Sequence, residues 1–289
     1  MALTVRWNGR WKIRWNGGPA GARRYARRMA EGLRFELLGP LRALGPGGEV
    51  ALGPPRQRAV LAVLLLQEGR PLTYAALVDA VWGDRPPAQV RNLVQKYVSG
   101  LRRALVDAVG GEAPELRWTG SGYLLGGVVI ADLAERRALL ARAVAARDAG
   151  QGARAVELVV RAEALWRGEF AEGLAGPVLA AERQRWAEKR LMVLEARLEG
   201  ELELRRYHEC VHELVRQVAE HPMRERLVGL LMLAFYRSGQ SAAALRTFED
   251  ARLRIAEEMG SDPGPALRVL HQRMLRQDPA LLPESVLAS

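Results

Sequence analysis

The chain has 289 residues, of which 49% are hydrophobic and 26% charged. This is the composition of a globular protein, long enough to form more than one domain. The longest strictly apolar run, Ala59–Leu66, has eight residues, far fewer than the ~20 that a membrane-spanning helix needs. A single cysteine, Cys210, excludes an intrachain disulfide framework and a zinc knuckle built from several cysteines. These features predict a protein of a bacterial-type cytoplasm.

The positive charge is concentrated near the N-terminus. The formal net charge is +10, of which residues 1–33 carry +7 and residues 34–127 carry +3, while residues 128–289 are neutral. A basic chain favours an acidic partner such as nucleic acid. Because most of the excess positive charge lies in one short segment, net charge alone is weak evidence for DNA binding, and the arrangement of the charged residues has to be considered.

Residues 1–32 differ from the rest of the chain. The sequence Arg-Trp-Asn-Gly begins at Arg6 and again at Arg14, and two arginine pairs follow, at Arg23 and Arg27. No hydrophobic periodicity runs through this segment, so we predict a basic, disordered extension. It is either an arm that contacts phosphates or a minor groove, or an upstream extension without a role, with Met29 as the initiator.

Residues 33–127 predict a small sheet, three helices and a hairpin. Short apolar segments up to Leu52, separated by glycine and proline, are typical of an antiparallel sheet. Helical patterns follow at about residues 56–67, 73–82 and 88–108, the second of them beginning at Thr73, which is an N-cap type residue. Gly120-Ser121-Gly122 then marks a hairpin. This order is that of a winged helix, a variant of the helix-turn-helix DNA-binding fold.

The third helix has two contrasting faces. Its apolar stripe comprises Val90, Val94, Tyr97, Val98, Leu101 and Leu105. Its opposite face combines side chains that read base edges with side chains that contact phosphates, namely Arg91, Asn92, Gln95, Lys96, Ser99, Arg102 and Arg103. We predict that this face, with Arg117 and Trp118 of the wing, binds double-stranded DNA. The alternative is an ordinary solvated helix face. The absence of carboxylates from this face argues against that alternative.

Residues 128–279 read as helix throughout, with a degenerate repeat. The breaks at Arg205 and Gly239 are 34 residues apart, the tetratricopeptide period. Five residues after each break stands a small side chain, and four residues later a larger apolar one; aligned on Gly150, Arg205 and Gly239, these are Ala155, Cys210 and Ala244, then Val159, Leu214 and Phe248. We predict three helix-pair repeats, with an insertion in the first between Trp166 and Trp186, and a C-terminal tail over 280–289.

One motif suggests an enzyme. His208-Glu209-Cys210-Val211-His212 matches the H-E-x-x-H pattern of zinc proteases. Its place inside a predicted repeat helix, with Cys210 at a packing position and no third ligand, argues against a metal site. The sequence also contains no G-x-x-x-x-G-K-S/T phosphate loop, and no nucleophile elbow or paired-carboxylate site stands out. We therefore predict no catalytic residue, cofactor or metal.

The motifs as a whole resemble one family over residues 34–279, the SARP family (Streptomyces antibiotic regulatory proteins). In the first half the similar segments are RFELLGPL (Arg34–Leu41), LVDAVWGD (Leu77–Asp84) with Pro86-Pro87, QKYVSGLRRAL (Gln95–Leu105) and GYLL (Gly122–Leu125). In the second half they resemble the bacterial transcriptional activation domain: LWRG (Leu165–Gly168), HPMRERL (His221–Leu227), AFYRSG (Ala234–Gly239), EEMGSDPG (Glu257–Gly264) and LRQDP (Leu275–Pro279).

The resemblance implies a mainly α protein with a small β component: an OmpR-like winged helix over 33–127, a fold also used by two-component regulators, and a tetratricopeptide-like activation domain over 128–279. It implies the small, stand-alone form of the family, without the ATPase of larger members. Such a protein would be a nucleoid-associated activator of a secondary-metabolite gene cluster. Gly100 stands where the family often has a basic residue, which removes an expected phosphate contact.

The partners that the resemblance implies are promoter DNA carrying direct repeats, RNA polymerase holoenzyme, and a second copy bound side by side on the DNA; no membrane is expected. From the residues alone, the neutral helical half supports only a surface suited to protein contacts. A DNA-binding repressor, or an adaptor whose repeats mediate only self-association, therefore remains an alternative.

Overall fold

A computed structural model describes residues 33–109 and 113–282; the predicted extension 1–32 and residues 283–289 of the predicted tail lie outside the described residues. The described chain divides into two compact units. The first runs to Ala145 and takes in Leu158–Arg190, and the second comprises Ala146–Glu157 and the chain from Leu191 onward.

The chain opens with a small sheet. Strands β1 (Arg34–Glu36), β2 (Arg42–Gly45) and β3 (Gly48–Glu49) are antiparallel, as the glycine and proline punctuation predicts. The third strand lies just before the apolar segment Val50–Leu52 in which it was expected, because it begins within the glycine-rich turn. A later strand, β7 (Val129–Ile130), pairs in parallel with β1, giving the order β3-β2-β1-β7. The sequence did not indicate β7, because a two-residue strand carries no periodic signal.

Three helices and a second sheet complete the winged helix. The helices are α1 (Pro55–Leu65), α2 (Tyr74–Trp82) and α3 (Val90–Val109), and the strands are β4 (Leu72–Thr73), β5 (Glu115–Trp118) and β6 (Gly122–Gly126), in the order β4-β6-β5. The Thr73 hydroxyl accepts from Ala76 N at 3.2 Å, which confirms the predicted N-cap. A Cβ at Gly122 would lie 2.6 Å from Thr73 Cα, so strand β6 needs glycine at the position that pairs with Thr73 of β4.

Seven helices follow in the described residues. They are α4 (Ala131–Asp148), α5 (Gly152–Glu163), α6 (Pro177–Glu203), α7 (Tyr207–Glu220), α8 (Glu225–Arg237), α9 (Ser241–Met259) and α10 (Pro265–Leu275), with a short 3₁₀ turn over Pro279–Leu281. Among the described residues, no helix combines the length and apolar character needed to span a bilayer.

The predicted repeat breaks share one backbone conformation. Gly150, Arg205 and Gly239 have φ values of 72°, 62° and 80°, the left-handed conformation that ends a helix. The small residues five positions later (Ala155, Cys210 and Ala244) are all buried. The three helix-pair repeats therefore align as predicted at these positions. One position differs: Val159 is only half-buried, and its neighbour Leu158 is buried instead.

The second unit extends past the predicted end of the activation domain. Leu281 is 3% exposed and belongs to the core formed with Met232, Phe248 and Met274. Its carbonyl accepts from Arg237 Nε at 2.9 Å. The start of the tail predicted for 280–289 is therefore part of the folded unit, because the 3₁₀ turn folds Leu281 back onto the helices.

The first unit contains part of the predicted activation domain. Phe170, Leu174 and Leu179 lie in the same core as the winged-helix residues. In the segment before α6, Arg167 N donates to Leu38 O at 2.7 Å and Ala171 N donates to Leu37 O at 2.9 Å. The division into compact units thus differs from the predicted boundary at 127/128, because this segment hydrogen-bonds along the chain that leaves β1.

Asp132, in the first turn of α4, hydrogen-bonds to the residues that directly follow β1. Its Oδ2 accepts from Leu37 N at 2.7 Å and from Leu38 N at 2.6 Å, and its Oδ1 accepts from Leu133 N at 2.8 Å. Burial raises the pKa of Asp132, and the three backbone hydrogen bonds act in the opposite direction. The carboxylate thus satisfies buried N–H groups that no strand pairs.

We expect Asp132→Ala to lower the free energy of unfolding of the first unit by about 2–4 kcal/mol, because two buried N–H groups lose their acceptor. Since the folded-state pKa of Asp132 is raised above its ordinary 3.8, this group favours the folded state most below pH 3.8, and its contribution falls as the pH rises through the raised value. Urea unfolding of the variant and the parent at several pH values measures both effects. An equal stability of the two proteins at every pH would contradict the assignment.

Candidate nucleic-acid interface

Helix α3 separates an apolar face from a polar one, as predicted. Val94, Val98, Leu101 and Leu105 are buried in the core of the first unit, whereas Val90 and Tyr97 are half-buried at the margins of the stripe. All seven side chains predicted to face DNA are exposed: Arg91, Asn92, Gln95, Lys96, Ser99, Arg102 and Arg103. The helix therefore presents its polar face to solvent.

The polar face carries positive charge without partners of opposite sign. Within the described residues, no carboxylate lies within ion-pair distance of Arg91, Lys96 or Arg103. Exposed cations that are not paired with a carboxylate can bind phosphate without first breaking an ion pair. Asn92 and Gln95 lie on the same face, and their amides can both donate to and accept from base edges.

Arg102 has a different environment from the other cations. Its Nε donates to Leu116 O at 2.7 Å, which joins α3 to strand β5 of the wing. Burial raises the pKa of Tyr123, and the positive charges of Arg102 and Arg91 act in the opposite direction without reversing the shift. Arg102 thus fixes the hairpin against the helix, a role that the sequence pattern did not indicate because the bond is between distant backbone and side-chain atoms.

In the wing, Arg117 and Trp118 each already contact another side chain. Arg117 Nε lies 3.0 Å from Glu115 Oε1, in an exposed ion pair. The Trp118 ring packs edge-on against Tyr123 with 5.0 Å between ring centres, and 48% of the residue is exposed. The indole is therefore held by one contact and open to a partner on its remaining surface.

The H-E-x-x-H match, against which the sequence context argues, shows no metal-site geometry in the described residues. His208, Glu209 and His212 are exposed on α7, while Cys210 is buried. Burial, with the nearby Glu201, raises the pKa of Cys210 to about 12, so the thiol stays protonated. Among residues 33–109 and 113–282, no group of three or more His, Cys, Asp or Glu side chains is arranged to hold a metal ion.

Comparison with known proteins identifies both halves. Residues 47–125 match the family described as Transcriptional regulatory protein, C terminal, and residues 131–275 match the Bacterial transcriptional activator domain. The chain is 34% identical to Regulatory protein DnrI of Streptomyces peucetius, over 86% of this chain and 94% of that one. This chain belongs to the SARP family. The resemblance found in the sequence is confirmed.

Larger SARP relatives extend beyond this chain. Regulatory protein AfsR of Streptomyces coelicolor is 45% identical over 86% of this chain but over only 25% of its own length, so the chain spans about a quarter of that relative. A solved structure of Mycobacterium tuberculosis EmbR in complex with a low-affinity phosphopeptide superposes with a TM-score of 0.78 and 34% identity, over 86% of this chain and 66% of that one. The mainly helical fold with an N-terminal winged helix is thereby confirmed.

Gly100, the departure from the SARP pattern, has a packing role. A Cβ at this position would lie 2.7 Å from Gln57 Oε1. Gln57 is itself buried in α1, and its Nε2 donates to Leu52 O at 3.0 Å. Gly100 therefore allows α1 and α3 to approach closely. It faces α1 and not the polar face of α3, so a basic residue at this position would not extend that face.

The two neighbouring arginines of α3 should respond differently to substitution. We expect Arg103→Gln to lower the salt dependence of DNA binding by about one unit in log K against log salt, because one phosphate contact is lost. We expect Arg102→Gln to leave that slope nearly unchanged and to weaken cognate binding by misplacing the wing. Titrations of both variants at several salt concentrations measure the slopes. Equal slope changes in the two variants would show that Arg102 acts as a phosphate contact.

Proposed function

We propose that this SARP protein is a sequence-specific DNA-binding activator of a secondary-metabolite gene cluster. The observation that carries the proposal is the exposed, carboxylate-free face of α3 in a winged helix. Arg91, Asn92, Gln95 and Lys96 would read bases in the major groove, and Ser99 and Arg103 would contact phosphates. Arg117 and Trp118 of the wing would contact the adjacent backbone or minor groove, with Arg102 holding the hairpin in place.

The helical half would supply the contacts with RNA polymerase holoenzyme. It carries no net charge over residues 128–289, so it has little long-range attraction for phosphate. Helical repeats present extended surfaces suited to protein contacts. The family resemblance adds two expectations, binding to direct repeats near a promoter and a second copy side by side on the DNA. The protein would act in the cytoplasm, on the nucleoid.

The experiment combines a mobility-shift assay with in vitro transcription, using a promoter of the gene cluster next to this gene and purified polymerase holoenzyme. We expect the full-length protein to shift the promoter fragment and to raise transcript yield. Binding with a fall in transcript yield would show a repressor. Binding without any change, together with self-association, would show an adaptor.

A substitution in the second unit tests the role of the helical half. Phe248 is buried and its ring stacks on His271 of α10 with 3.8 Å between ring centres. We expect Phe248→Ala to cost about 3–5 kcal/mol of that unit's stability, because it empties a packed site. Activation in vitro should be lost while promoter binding through the first unit persists.

The control for this substitution is Val215→Ala on α7, because Val215 is exposed and its loss should change stability by less than about 0.5 kcal/mol. This variant should activate like the parent. If Phe248→Ala unfolds the second unit and still activates fully, the helical half is not the activating part.

A further inference from the structure

A cluster of cations and indole rings lies in the first unit, outside α3 and the wing. The Trp166 and Trp186 rings meet edge-on with 6.2 Å between ring centres. The Arg136 guanidinium carbon lies 5.9 Å from the first ring centre and 5.5 Å from the second. Arg190 lies over Trp166 at 5.0 Å, and Lys189 Nζ lies over Trp186 at 4.1 Å. Three cations thus share two aromatic rings.

Arg136 is the buried member of this cluster. It is 7% exposed, and its Nη2 has no hydrogen-bond partner among the described residues. Buried polar atoms in native proteins nearly always have a partner, and one without it calls for an explanation such as a bound ion. Burial lowers the pKa of Arg136 to about 10, with Arg190 acting in the same direction and Glu163 against it.

The cluster has more positive charge than its carboxylates offset. Burial lowers the pKa of Lys189, and Arg185, Arg136 and Arg137 lower it further, with Glu182 opposing them. Glu182 is already paired with Arg185 at 2.7 Å. The cations run from buried Arg136 through half-buried Lys189 to exposed Arg190, so the cluster reaches the protein surface at one end.

We propose that Arg136, Lys189 and Arg190 form a binding site for a phosphate group, carried by inorganic phosphate or by a small phosphate ester. A guanidinium presents a planar fork of N–H donors that matches phosphate oxygens, and Arg136 has a donor free for this purpose. Phosphate is favoured over a carboxylate because a nearly divalent anion with several acceptor oxygens offsets three cations better than a monovalent one. The indole rings fix the cations in place without competing as acceptors.

The test measures thermal unfolding of the full-length chain in inorganic phosphate, in glycerol phosphate and in sodium chloride of equal ionic strength. We expect either phosphate to raise the Tm by about 3 °C or more once its concentration is tenfold above its Kd. Arg136→Met should abolish this difference and should still unfold cooperatively, because methionine keeps an apolar side chain against the indole rings. Arg142→Met, an exposed position on the same helix α4, should keep the full response.

Equilibrium dialysis with radiolabelled phosphate gives an independent readout. The parent and Arg142→Met should each bind about one phosphate per chain more than Arg136→Met. Phosphate bound by the basic residues 1–32 is common to all three proteins and cancels in this difference. Arg190→Gln, at the exposed end of the cluster, should weaken binding without disturbing the core. A lower Kd for glycerol phosphate than for inorganic phosphate would identify a phosphorylated small molecule as the ligand. The reverse order would identify inorganic phosphate.

Two results would overturn the proposal. If Arg136→Met gains as much Tm in phosphate as the parent, the stabilisation is the general salting effect of phosphate and not a site. If dialysis shows no excess of bound phosphate in the parent over Arg136→Met, the cluster is a packing arrangement of cations on indole rings.

Discussion

A chain that ends at residue 127 will not fold stably, whereas a chain that ends at Arg190 will retain the folded winged helix. The shorter chain lacks Asp132, which accepts from two backbone N–H groups, and the core residues Phe170, Leu174 and Leu179. Emptying one large core site costs about 2–5 kcal/mol, and the total stability of a domain is about 5–15 kcal/mol. Losing several such sites together exceeds the stability available.

The comparison uses fragments 29–127 and 29–190, each followed by circular dichroism during heating. We expect a cooperative transition only for the longer fragment, and binding to operator DNA only for that fragment. Phe170→Ala in the longer fragment serves as an intermediate case, because Phe170 is buried and stacks on Trp186 with 5.3 Å between ring centres. Cooperative melting of both fragments at one temperature would show that the winged helix is independent of the following segment.

Replacing the four proposed base-reading side chains of α3 by alanine should reduce operator affinity by about a thousandfold or more. Each base contact contributes roughly 1–3 kcal/mol of discrimination, and every tenfold change in affinity corresponds to about 1.4 kcal/mol. The salt slope should change little, because the proposed phosphate contacts at Ser99 and Arg103 are retained. The substituted residues are Arg91, Asn92, Gln95 and Lys96.

Folding should be unaffected by these four substitutions, because all four side chains are exposed and alanine has a high helix propensity. A matched control replaces Val106, an exposed apolar residue nearer the end of the same helix, by alanine and should leave operator binding within about twofold of the parent. Fluorescence anisotropy with a labelled operator measures all three proteins. Unchanged affinity in the four-alanine variant would place the DNA contact elsewhere.

Local patterns were enough to predict the helices and the longer strands of the fold, but not the two-residue strands β4 and β7. The stripe through Val94, Val98, Leu101 and Leu105 is buried as its spacing indicated, and the breaks at Gly150 and Gly239 end helices in the left-handed conformation. These signals lie within one or two helical turns, so a single sequence contains them in full.

Contacts between distant residues were not predictable in the same way. The bonds from Leu37 and Leu38 to Asp132 span 95 and 94 residues, and no local spacing marks Asp132 as their acceptor. Arg102 belongs to the predicted polar face, yet its bond to Leu116 depends on how the hairpin packs. The predicted boundary at 127/128 followed the change in composition, whereas the core follows these long-range contacts.

The alternation of the chain between the two units affects the order in which they can form during synthesis. The chain passes from the first unit to the second after Ala145, returns at Leu158 and leaves again after Arg190. On a ribosome that adds about 5–20 residues per second, the wing is complete several seconds before the last core residues of its own unit emerge. The nascent winged helix must therefore wait, with part of its apolar core uncovered, and a pause in translation between Gly126 and Arg190 would prolong its exposure to proteases and chaperones.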